Sequence, residues 1–185
     1  MNVIETSIPG VLVFEPKIFN DSRGHFLELY EAARYAAHGL PDVFAQDNLS
    51  HSKRGVLRGL HLQNPKPQGK LVTVLAGVVL DVAVDVRLGS PTFARHVAVE
   101  LDARTRRQIW IPRGFAHGFV VRSETADVLY KSDDVYSPSS ELVLQWNDPA
   151  LAINWGIAAP ELVARDRAGC TLSELSTRLP RFGTA

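Results

Sequence analysis

The chain has 185 residues, enough to bury a core without disulfide or metal staples, and no second domain need be invoked. Its 20 Lys and Arg balance 20 Asp and Glu, so the formal net charge is zero, which argues against a general electrostatic hold on nucleic acid or an anionic membrane. One cysteine, Cys170, cannot close an intrachain disulfide, the start MNVIETSIPG shows no signal-peptide pattern, and Asp81 and Asp85 interrupt the longest apolar run, so a cytoplasmic protein off the membrane is expected.

In chain order, residues 11–14 and 26–30 read as short strands separated by the turn Asn20-Asp21-Ser22-Arg23-Gly24. Residues 31–37 are rich in helix formers and stop at Gly39, which predicts one short helix. From there β-type runs recur at 44–50, 56–63, 71–75, 78–86, 93–101, 108–111, 118–121, 127–132 and 142–146. Turn signals such as Asn64-Pro65, Ala76-Gly77, Gly89-Ser90-Pro91 and Pro112-Arg113-Gly114 punctuate them. Many short strands at near-regular spacing predict an all-β antiparallel sandwich or barrel with a few short peripheral helices. An α/β fold is excluded for lack of crossover helices. The tail, 160–185, is mixed, with a helix expected over 172–177 and a charged cluster at Arg165-Asp166-Arg167.

The stretch GVLRGLHLQ, residues 55–63, carries more polar chemistry than a strand needs. Val56, Leu57, Leu60 and Leu62 supply packing, while His61 and Gln63, two apart, look into the same space. A second histidine, His117, sits in IPRGFAHGF among backbone-fixing Pro112, Gly114 and Gly118. By contrast His25, His38, His51 and His96 read as ordinary core or surface residues. The paired layout around His61 and His117 resembles the two signature motifs of the cupin jelly-roll barrel. Cupins commonly bind a metal there, through three or four converging N/O ligands. Here Gln63 stands where the second histidine is expected, and Gln68 is the nearest polar residue to the carboxylate position. With two of four ligand positions kept, a barrel without metal or other cofactor is expected; a metal-dependent cupin is the competing reading.

Further motifs make the resemblance specific. Asp21-Ser22-Arg23-Gly24 with Phe26 and Glu28, Gln46-Asp47-Asn48, GVLRGLHLQ, Lys70, Gly89-Ser90-Pro91-Thr92, residues 112–119, Tyr130-Lys131, Tyr136-Ser137-Pro138, Trp146-Asn147-Asp148-Pro149 and Arg165-Asp166 stand in the order of the dTDP-4-dehydrorhamnose 3,5-epimerase family. The chain resembles that family over most of its length. It departs at Leu62, where an aromatic is common, and at Gly156, where proline is usual.

The residues support such chemistry in their own terms. Inverting a carbon beside a ketone needs a base on one face, an acid on the other and a group to hold the enolate oxygen. His61 is the natural base, because imidazole titrates near neutral pH. Alone, Asp166 reads as a surface charge paired with Arg165 or Arg167, Lys70 as a solvated strand-end lysine, and Tyr130 as a core aromatic. The resemblance implies more: Asp166 orients His61, Lys70 stabilises the enolate, and Tyr130 is the general acid. It also implies substrate contacts from Arg23, Phe26, Glu28, Gln46, Asp47, Asn48, Arg58, Gln63, His117, Tyr136, Glu141 and Arg165. The substrate it implies is a dTDP-linked 4-keto-6-deoxy sugar, epimerised at C3 and C5 or, alternatively, at one of them. The resemblance further implies a homodimer in which the segment of about 1–50 lies at the interface and the hairpin from Arg23 to Glu28 reaches the neighbouring subunit's site.

Overall fold

The computed structural model describes residues 1–183. In chain order the strands are β1 (Asn2–Glu5), β2 (Leu12–Glu15), β3 (Ile18–Asp21) and β4 (Gly24–Leu27), followed by helix α1 (Ala32–Ala36). Next come β5 (Gln46–Lys53), β6 (Leu57–Gln63), β7 (Lys70–Ala76), β8 (Val78–Asp85) and β9 (His96–Asp102). β10 (Gln108–Ile111), β11 (Phe115–Val121), β12 (Thr125–Ser132), β13 (Glu141–Val143) and helix α2 (Ala164–Arg167) complete the set.

Two antiparallel sheets face each other: six strands in the order β1-β2-β10-β7-β12-β5, and five in the order β13-β6-β11-β8-β9. This is the all-β sandwich the strand pattern predicts and the cupin-like jelly roll the resemblance implies. β3 and β4 pair only with each other, as a hairpin standing off the main sheets. Among the described residues no helix is long and apolar enough to cross a membrane.

Strand alternation sorts the side chains into three clusters. Val72, Val74, Ile109, Ile111, Phe115, Phe119 and Val128 meet between the sheets. On the outer face of the five-stranded sheet, Leu60 and Leu62 of β6 and Val82 and Val84 of β8 are covered by the tail through Leu151, Trp155, Leu172, Leu175 and Leu179. On the other side, Leu71 and Trp110 lie beneath Tyr35 of α1. Tyr35 pins that helix to the sheet by donating its hydroxyl to Gln108 at 2.5 Å, and Glu31 caps it by accepting from the amides of Ala33 and Arg34.

Several expectations are corrected. β1 and β3 have no counterpart in the expected strands, and the strand expected at 26–30 lies earlier, as β4. β11 starts at Phe115, three residues before the expected boundary. The helix expected over 172–177 is a run of turns: Thr171 and Glu174 cap each other and Leu175 makes one i→i−4 bond to Thr171, but the next bonds, Ser176 to Ser173 and Arg178 to Leu175, are of the tighter i→i−3 type. Its apolar spacing still serves, placing Leu172, Leu175 and Leu179 against the sheet. The tail's helical turn is α2 instead, around the charged cluster. Of the expected tail, Thr184 and Ala185 lie outside the described residues.

Candidate active site

The interior strand faces are apolar at one end of the barrel and polar at the other. A cavity of about 600 Å³ opens at the polar end. The five-stranded sheet lines it with Arg58, His61 and Gln63 from β6, His117 and Phe119 from β11, and Glu141 from β13. The six-stranded sheet supplies Gln46, Asn48 and Ser50 from β5, Lys70 from β7 and Tyr130 from β12. Tyr136 and the α2 residues Arg165 and Asp166 close the rim.

Arg58 and His61 are three apart, a spacing that puts residues of a regular strand on opposite faces. A bulge resolves this: Arg58 pairs with Phe119 and His61 with His117, so two β6 residues face the single residue Gly118. Gly59 sits in the bulge at φ +126°, where an added Cβ would meet the Gly118 Cα at 2.6 Å. Only glycine fits that conformation and that contact.

His61 Nε2 lies 2.7 Å from Asp166 Oδ1. The other carboxylate oxygen accepts from the Gly59 N–H at 3.1 Å, tying the pair to the bulge. Asp166 is only 1% exposed, which overturns its reading as a surface charge. Burial pushes its carboxyl up, but the His61 hydrogen bond and charge, the Gly59 amide and Arg165 outweigh burial and hold it below the ordinary value. Arg165 also bonds Glu141 at 2.8 Å, and Glu141 in turn accepts from the Tyr136 hydroxyl at 3.2 Å.

Across the cavity, burial pushes the Lys70 ammonium down to about 8, partly opposed by the charges of Asp81 and Glu141. Burial likewise raises the Tyr130 phenol, against the pull of Arg58 and Arg165. Neither the Lys70 amine nor the Tyr130 hydroxyl has a hydrogen-bond partner among the described residues. Both therefore keep their polar ends for whatever enters. Arg58 is steadied by its Nε bond to Ser52 Oγ at 2.9 Å, and Gln46 by donating to Asn48 at 2.8 Å.

Other expected site residues are tied to the chain or lie outside the cavity. Gln63 lines the cavity, yet its amide is spent on the chain, donating to the Lys66 carbonyl and accepting from the Ser137 N–H. It fastens the loop that carries Tyr136. Asp47 points to the opposite face of β5 from Gln46 and Asn48 and pairs with Lys131 at 2.9 Å. Arg23, Phe26 and Glu28 do not line this chain's cavity: Arg23 pairs with Asp21, Glu28 with Arg34, and Phe26 is 72% exposed on the hairpin.

One interior charge escaped notice. Asp81 is fully buried and accepts from His117 Nε2 at 2.9 Å. A carboxylate with apolar residues on both sides, within VVLDVAVD, was the available signal. Among the described residues no group of three or more His, Cys, Asp or Glu is arranged to hold a metal ion.

Fold and cavity define the class: a cupin-like β-sandwich whose mouth carries a His–carboxylate pair, a lysine and a tyrosine in place of a ligand cluster. The family model described as dTDP-4-dehydrorhamnose 3,5-epimerase matches residues 5–174, and the chain belongs to that family. It is 52% identical over 171 residues to the Pseudomonas aeruginosa dTDP-4-dehydrorhamnose 3,5-epimerase, covering 91% of this chain and 94% of the relative. A Neisseria gonorrhoeae relative of the same name is 46% identical over 183 residues; the match takes in 98% of this chain but 56% of that longer protein. The Legionella pneumophila dTDP-6-deoxy-D-glucose-3,5-epimerase, solved in complex with dTDP-4-keto-L-rhamnose, superposes with a TM-score of 0.96 at 49% identity over 99% of both chains.

Proposed function

We propose that this chain epimerises C3 and C5 of dTDP-4-dehydro-6-deoxy-D-glucose, giving dTDP-4-dehydro-L-rhamnose on the route to dTDP-L-rhamnose. The observation that carries this reading is the placement of His61 and Tyr130 on opposite sheets of one cavity, with Lys70 beside Tyr130.

In this reading Asp166 holds His61 through Nε2, leaving Nδ1 with the lone pair that takes a proton from the carbon beside the ketone. The electrons of the broken C–H bond move onto the ketone oxygen, and the Lys70 ammonium stabilises that enolate. Tyr130 then gives its phenolic proton to the opposite face of the same carbon, which inverts the centre. Proton exchange with water resets both groups, so each inversion is redox-neutral and consumes nothing. Arg58, Arg165, His117, Gln46 and Asn48 hold the nucleotide-linked substrate, the arginines through phosphate.

The working unit in this proposal is a homodimer, with the segment of about 1–50 at the interface. The β3–β4 hairpin presents an apolar cross-strand pair, Phe19 opposite Phe26, both more than half exposed, with Arg23 at its tip. Inserted beside a neighbouring cavity, it brings Arg23 and Phe26 to that site. The neutral charge and single cysteine fit a cytoplasmic enzyme with no nucleic-acid partner.

The test is conversion of the dTDP-4-keto sugar in deuterium oxide, coupled to a downstream reductase. Deuterium at both C3 and C5 is expected. Label at one carbon alone assigns a single-carbon epimerase, and no label at either overturns the proposal.

A further inference from the structure

Asp81 is a buried charge that the proposed reaction leaves unused. It stands on the interior face of β8 between Val79 and Ala83, both core residues, at 0% exposure. In the register of β8 and β11 it lies opposite Phe119, one interior position from His117. Its Oδ2 holds the His117 ring at 2.9 Å, while Oδ1 is fully buried with no hydrogen-bond partner. An uncompensated carboxylate oxygen is costly at such a depth unless a nearby charge offsets it. The cation coupled to it is Lys70 on the facing sheet, whose amine also lacks a hydrogen-bond partner.

We propose that Asp81 is a positioning residue for the epimerisation, fixing His117 through Oδ2 and supplying the buried negative charge that keeps Lys70 cationic beneath the substrate. The proposal rests on the enolate role given to Lys70 above. The other titratable or charged groups around this cavity are His61 and Arg58 from β6, His117 from β11, Tyr130 from β12, Glu141 from β13, Arg165 and Asp166 from α2, and Tyr136 and Glu161, both exposed to solvent at the rim. Of these carboxylates, Asp166 is spent on His61 and Glu141 on Arg165 and Tyr136. Among the described carboxylates, Asp81 alone keeps a fully buried oxygen without a partner. Without its charge the amine sheds its proton at lower pH, and a neutral amine stabilises an enolate poorly.

The experiment follows Lys70 directly by 15Nζ-lysine NMR, alongside kcat against pH, in the wild type and in Asp81→Asn. The variant is expected to titrate Lys70 at lower pH, to move the alkaline limb of kcat the same way, and to lose about a hundredfold in kcat at neutral pH. KM is expected to change little. A Lys70 titration at the same pH in both proteins overturns the proposal. Should Asp81→Asn not fold, Lys70→Met is compared with Lys70→Met/Asp81→Asn by urea unfolding. With its cation gone the Asp81 charge is unanswered, while an asparagine oxygen can still accept from His117 Nε2, so an equal or higher midpoint is expected in the double variant and a lower one overturns the proposal. Absence of wild-type turnover would sink the proposed reaction instead, and leaves the NMR comparison to judge Asp81.

Discussion

His61 and Asp166 stand 105 positions apart in the chain and meet at 2.7 Å. The contact joins the bulged strand β6 to the short helix α2, and the Gly59 amide on the second carboxylate oxygen fixes the direction from which Asp166 approaches. A base aligned in this way loses its tautomer when the carboxylate becomes an amide. Asp166→Asn is expected to lower kcat by roughly a hundred- to ten-thousandfold, and His61→Ala to stop deuterium incorporation at C3 and C5. Exchange retained at both carbons in His61→Ala removes His61 from the role of base.

Lys70 is expected to set the alkaline edge of activity. Its folded pKa, about 8, lies below the free value, so it loses the proton while an unfolded chain still keeps it. Between about 8 and about 10.4 the unfolded state binds more protons, and the Lys70 contribution to stability therefore rises with pH. Activity moves the other way. The kcat profile is expected to fall above about pH 8, and Lys70→Met to lose roughly a hundred- to a thousandfold along with that limb. An unchanged limb in the methionine variant assigns it to another group.

Asp85 tests the scaffold apart from the chemistry. It is fully buried and accepts from the Arg87 guanidinium and from the Ser90 and Thr92 hydroxyls. Burial opposes ionisation, but these donors hold its carboxyl down at about 2. Because the folded pKa is depressed, its stabilisation is present above the unfolded value near 3.9 and is lost as pH falls through about 2. Asp85→Ala strands three donors and is expected to cost about 3–5 kcal/mol in urea unfolding. A loss under about 1 kcal/mol would mean the cluster behaves like a surface pair.

Gly59→Ala probes the bulge. The new methyl collides with Gly118 and holds alanine at a positive φ, a combined cost of roughly 2–5 kcal/mol. Arg58 and His61 flank the distortion, so kcat should fall even where the variant remains folded. Full activity in a folded alanine variant would free the site geometry from the bulge.

The dimer proposal is read by complementation. Arg23→Ala and His61→Ala are each expected to be nearly inactive. If each cavity uses its partner's Arg23, mixing the unfolded variants and refolding them together gives heterodimers with one intact site, and about a quarter of wild-type activity. No recovery on mixing would place Arg23 outside the neighbour's site.

The barrel was legible because its strands alternate cleanly: Val72, Val74, Ile109 and Ile111 point inward on period two. The cavity was legible in part. Arg58, His61, Lys70 and Tyr130 share it, yet the even-odd rule cannot place Arg58 beside His61, since a bulge resets the count. Asp166 was unreadable by spacing alone, because its burial depends on a tail that folds back over β6. Gln63 reads as a binding group in sequence; it lines the cavity and also fastens a loop, two uses that an amide two residues past His61 leaves indistinguishable by spacing. Asp81 was passed over as a mere interruption of an apolar run, although a charge on the inward face of a central strand has to be answered by something.

The apolar plug between the sheets, from Val72 and Ile109 to Phe115, has a consequence for traffic. With that end filled by packing, the cavity of about 600 Å³ lies at the other end. A sugar nucleotide bound as proposed would enter sugar first, with its nucleotide at the threshold, and its product would leave by the same end. An occupant that grips the threshold through its nucleotide alone then shuts the whole chamber, so nucleoside diphosphates without a sugar should compete with substrate while reaching none of the groups that carry out the chemistry.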